Sequence, residues 1–211
     1  MFMTPTFRKF ALTAHVTSSV GWLGAVAGFL ALAVAGITSQ NGQLVRASYL
    51  AMHLITWFVI VPFCLASLTT GVAQALATPW GLFRHYWIVT KLLLTIVATI
   101  ILLVHTRPID RVAAVAAESG LSSGSLRELR VQLVGDAAAA LFVLLMTTAL
   151  SVYKPWGLTP YGARRQYDSA APRPPANRRP ENAGRYVLLA IVGVVAVILV
   201  LHLFGIGLHG H

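Results

Sequence analysis

The chain has 211 residues, of which 57% are hydrophobic and 10% charged, and a net charge of +10. About 25% charged residues is usual for a soluble globular domain, so this composition excludes that class and points to lipid. The basic excess is no nucleic-acid signature, because most of it flanks apolar segments, where positive charge sets membrane orientation.

Five apolar runs follow one another, at residues 10–36, 49–77, 87–105, 137–153 and 186–204. About 20 apolar residues cross some 30 Å of hydrocarbon. None of the runs alternates with period two, so each satisfies its backbone internally as a helix. The expected fold class is all-α: a polytopic membrane protein with a four-helix transmembrane bundle and an appended fifth transmembrane helix. The domain reading is a bundle over 1–153, a linker over 154–185 and a fifth helix with a short His-containing tail over 186–211.

The first segment follows Arg8 and Lys9, and its apolar stretch exceeds the roughly 7 to 15 residues of a cleavable signal, so it reads as a retained helix. Gly24 and Gly28 stand four apart, a spacing that lets a neighbouring helix approach closely. His15, Ser18, Ser19 and Trp22 share one face and form an inward polar stripe. The second segment holds His53 near its outer start, Trp57, Pro62 as the expected kink, and the single cysteine, Cys64, read as a small buried hydrophobe.

In the third segment Lys91, Thr95, Ala98 and Leu102 lie along one face, with His105 closing the helix. Lys91 and His15 lie at similar depth and are expected to meet, unless the lysine snorkels to the interface. Residues 108–136 mix Ala and Val with charge, and the capping-box pair Ser125 and Glu128 predicts a short helix at the membrane surface leading into the fourth segment. Residues 154–185, rich in Pro and Arg, read as a basic cytoplasmic linker.

Ionisable side chains at bilayer depth are costly and normally face the interior of a bundle, which makes His15, His53 and Lys91 the first functional candidates. With the N-terminus inside, eleven basic residues fall on the inner side, while Arg46, Arg107, Arg111, Arg127 and Arg130 fall outside. That places His53, His105, His202, His209 and His211 on the outer side, together with Asp110 and Asp136. Imidazole suits haem iron, copper and zinc, so His53, His105, His202 and Asp136 are the candidate metal ligands there. Phosphate loops, nucleophile elbows and close carboxylate pairs are absent.

Two stretches, "FALTAHVTSSVGWLGAVAGFLAL" and "YWIVTKLLLTIVATIILLVH", resemble a bacterial membrane superfamily that includes the copper-resistance D proteins and the haem-containing protoporphyrinogen oxidases. "TTALSVYKPWGLTPYG" is similar to an uncharacterised branch of the same superfamily, and the resemblance covers about residues 7 to 165. It implies a multi-pass protein of the bacterial cytoplasmic membrane, N-terminus inside and C-terminus outside, binding haem b for electron transfer or membrane redox chemistry. In that reading His15 is an axial ligand, Lys91 pairs with a propionate or substrate carboxylate, and Trp22 walls the pocket. A second axial ligand comes from His53 or His105, or those two form an outer-side pair instead. Copper or other metal handling is the alternative function, and a non-catalytic membrane scaffold is a further one. Expected partners are the lipid bilayer, a membrane redox partner or quinone, and a second copy of the chain.

Overall fold

A computed structural model describes residues 4–77, 83, 85–118, 124–153, 157–161 and 163–164. The expected fifth helix, nearly all of the linker, and His202, His209 and His211 lie outside the described residues. Within them the chain is almost wholly helical: α1 (Pro5–Thr38), α2 (Gly42–Ile55), α3 (Val61–Ala77), α4 (Tyr86–Ala117) and α5 (Gly124–Tyr153). A five-residue π turn, Thr56–Ile60, joins α2 to α3, so the two make one continuous rod. Four rods are long and apolar enough to cross a membrane, and the protein is a multi-pass helical membrane protein.

Local chemistry sets the ends. Thr4 caps α1 through the Phe7 N–H, with Pro5 in the first turn where its missing donor costs nothing. Asn41 caps α2 by accepting from the N–H groups of Gln43 (2.9 Å) and Leu44 (3.3 Å). At the end of α4 the Ala117 carbonyl accepts from Arg46 Nη2 at 2.8 Å, which satisfies one of the orphan acceptors of a helix terminus.

Where a kink is expected at Pro62, the structure has the π turn Thr56–Ile60 just before the proline. Pro62 cannot donate to Phe58, and the Val61 N–H bonds back five residues to Thr56. The extra residue is absorbed by a wider turn, and the rod continues.

The helices also run further than the apolar runs predict. The short surface helix expected near Ser125 is instead the first part of α5, which starts at Gly124 and continues unbroken to Tyr153. Likewise α4 passes through Pro108 and ends at Ala117. Its last turns bury Ile109, Val112, Ala113 and Ala116 and expose Arg107, Arg111 and Glu118, as a water-facing amphipathic helix does. At 1.5 Å per residue the 34 residues of α1 span about 50 Å. That exceeds the hydrocarbon thickness of about 30 Å, so the rods emerge from lipid or tilt. Hydropathy therefore marks the lipid-embedded part of each helix, and the helix itself ends where its caps lie.

The rods stand around a square. α1 packs on the α2–α3 rod and on α5, and α4 packs on the same two. Trp22, Val26, Phe29, Ala33, Tyr49, Met52, Cys64, Val112, Leu133, Ala137 and Leu144 belong to the solid core, which fills the half of the bundle away from the N-terminus. Gly21 makes room for the Phe63 ring of α3, because a Cβ there would lie 2.7 Å from it. The expected packing of Gly24 and Gly28 against a neighbour is not seen: both are exposed, and a Cβ at either position would meet nothing within 4 Å.

Candidate functional site

In the other half of the bundle the four rods enclose a cavity of about 770 Å³. That size falls within the roughly 300–1,000 Å³ of small-molecule sites. His15 and Lys91 meet in it across the diagonal of the square, with Lys91 Nζ 3.5 Å from His15 Nε2. The amine also donates to Ser151 Oγ at 2.8 Å, so Lys91 lies inside the bundle and does not snorkel.

His15 is held from the α3 side. Its Nδ1 lies 3.1 Å from the Ser67 carbonyl and 3.2 Å from Thr70 Oγ1. A carbonyl only accepts, so Nδ1 carries the proton, and the lone pair of a neutral ring is on Nε2, which faces Lys91. Gly71 makes room for the ring, since a Cβ there would lie 3.0 Å from Cε1. Nearby, Ser19 and Ser67 hydroxyls share a hydrogen bond at 2.7 Å, and Gln74 Nε2 donates to the Ala11 carbonyl at 2.7 Å. Trp22, only 4% exposed, forms part of the wall, while Arg8 and Trp87 also line the cavity.

Among the described residues no carboxylate is paired with this lysine. Among the described residues the ion pairs are His53 with Asp110 and His105 with Asp136. The chain has no Asp or Glu before Asp110. A cation in a membrane interior is ordinarily paired, so the missing counter-charge is a chemical feature of the cavity.

The remaining candidates occupy the opposite half. His53 Nε2 lies 3.2 Å from Asp110 Oδ1, and the Trp57 indole donates to the same oxygen at 3.0 Å. His105 is buried, with Nδ1 2.7 Å from the Ile101 carbonyl and Nε2 3.0 Å from Asp136 Oδ2. Both of its nitrogens face acceptors, and neither offers a lone pair to a metal. The structure thus divides the proposed outer-side ligands into two separate pairs, and His202 lies outside the described residues. Among the described residues no three His, Cys, Asp or Glu side chains gather as a metal group.

The residues that sequence reasoning missed are Ser67, Thr70, Gly71 and Ser151. Their signal was present as spacing: Ser67, Thr70 and Gln74 recur at three and four, as do Thr147, Thr148 and Ser151. Fold and site together define a helical membrane protein with a largely apolar cavity inside its bundle that holds the His15–Lys91 cluster. Comparison of the chain with protein-family models, curated proteins and solved structures found no match.

Proposed function

We propose that this protein binds haem b in the His15–Lys91 cavity and serves electron transfer or redox chemistry in a bacterial cytoplasmic membrane, with its N-terminus inside. The observation that carries this reading is the His15 imidazole, anchored through Nδ1 to the Ser67 carbonyl so that Nε2 presents its lone pair to the cavity. Ligating histidines commonly have such an anchor, which fixes the tautomer and the ring orientation.

The donor set fits the group. His15 would be the axial ligand, and Lys91, with Arg8 among the lining residues, supplies cations for the two propionates. Trp22, Leu23, Ile88 and Leu92 supply apolar wall. Ligation requires the Lys91 amine to withdraw from Nε2, and Ser151 already holds it from the other side at 2.8 Å. His53 and His105 are engaged at the far end, and this reading assigns ligation to His15. When bound, haem supplies one-electron chemistry, whose potential the protein tunes by ligation and burial. The chain's own part is to hold the imidazole, neutralise the acid groups and exclude water.

The test is an absorption spectrum of protein purified from bacterial membranes. A Soret band of five-coordinate character is expected, lost in His15→Ala and retained in His53→Ala and His105→Ala. Protein that is colourless after expression with ample haem overturns the proposal.

A further inference from the structure

The cavity has an open side. Leu12, Val16 and Val20, at four-residue intervals on α1, line it and are also about half or more exposed. On α5 the lining residues Thr148 and Val152 are exposed too, Val152 at 71%. A side chain that both lines a cavity and is open to the outside marks an opening, here between α1 and α5. Towards the other half of the bundle α1 and α5 share the solid core, with Trp22, Phe29 and Ala33 on one and Leu133, Ala137 and Leu144 on the other. The two helices therefore close on each other in that half and leave a gap in this one.

The interior of the gap carries the polar side chains of Lys91, His15, Ser19 and Ser151, while its rim is mostly aliphatic. In hydrocarbon the solute that matches both is an amphiphile with an anionic head and an extended apolar tail. The Lys91 amine, with no carboxylate partner among the described residues, selects the head, since charge-assisted hydrogen bonds are the strong ones in a low dielectric. The aliphatic rim selects the tail by burial of area.

We infer that the cavity takes its ligand from the bilayer: a long-chain carboxylate of the fatty-acid class passes between α1 and α5, seats its head on Lys91 and leaves its tail along Leu12, Val16, Val20 and Val152. This goes beyond haem binding and needs the cavity and the lysine, not iron.

The test uses a long-chain fatty acid with a photoreactive diazirine beside the carboxyl group, irradiated in liposomes containing the full-length protein. Labelled residues are mapped by mass spectrometry. It is run on the wild type and on His15→Ala, which retains Lys91 and removes the proposed haem ligand. In His15→Ala, cavity residues around Lys91 are expected to label about tenfold more than lipid-facing Phe58, Ile96 and Ile100. Lys91→Met in that background, or the methyl ester of the probe, removes about that factor, as loss of one charge-assisted hydrogen bond predicts. A Val20→Phe, Val152→Phe double variant narrows the gap and lowers labelling while leaving the helical circular-dichroism signal unchanged. Uniform labelling of the lipid-facing surface, or labelling indifferent to Lys91→Met and to the ester, overturns the inference. A colourless wild type with labelled cavity residues defeats the haem proposal alone.

Discussion

At the scale of single residues, the glycines and arginines of the bundle separate space from charge. Gly21 faces the Phe63 ring and Gly24 faces outward, although both sit in the same apolar helix. Gly21→Leu is expected to destabilise by about 1–3 kcal/mol through overpacking, and Gly24→Leu by less than about 0.5 kcal/mol. Thermal unfolding in one detergent measures the difference. Arg130 crosses the other diagonal of the square: its Nε donates to the Tyr49 hydroxyl at 2.6 Å and its Nη2 to the Gly36 carbonyl. Arg130→Met strands both acceptors and is expected to cost about 1–3 kcal/mol, more than Tyr49→Phe, in the same assay. Near the cavity, Gly71→Val pushes a branched side chain into His15 Cε1. Its expected result is loss of the Soret band with the helical signal intact.

At the scale of the element, the π turn is the informative departure from regularity. It carries one residue more than an α-helix needs, which keeps the register of Tyr49 and Met52 on one side and of Cys64 and Ser67 on the other. Deleting Val59 together with Pro62→Ala therefore yields a regular helix with both buried faces preserved. Deleting Leu50 instead rotates one part of the rod by about 100° against the other. Yield of monodisperse protein on gel filtration is expected to survive the first change and collapse with the second. The converse outcome shows that the turn does not set the register.

At the scale of the whole molecule, the bundle has two unlike ends. One encloses the cavity with Arg8, His15 and Lys91; the other is packed solid and carries Arg46, Asp110, Arg111, Arg130 and Asp136. The proposed orientation puts the cavity end toward the cytoplasm, because the expected topology assigns eleven of the sixteen basic residues to that side. In a Cys64→Ala background, Gln40→Cys is expected to react with a membrane-impermeant maleimide in intact cells. Phe83→Cys reacts only after permeabilisation, and the opposite pattern reverses the orientation.

Much of the architecture was already determined by the sequence, because hydrocarbon allows a spanning segment few alternatives: uninterrupted apolar runs must be helices, and the Ser and His stripe of α1 must turn inward. Their positions near the starts of the first and third segments, which cross in the same direction, likewise put His15 and Lys91 at similar depth. Tertiary packing decided which faces meet. It placed Ser67 and Gly71 of α3 around His15, turned Gly24 and Gly28 outward, and gave His53 and His105 separate carboxylate partners. The rotation of one rod against another depends on side-chain fit between segments far apart in the chain, and local periodicity carries no information about it.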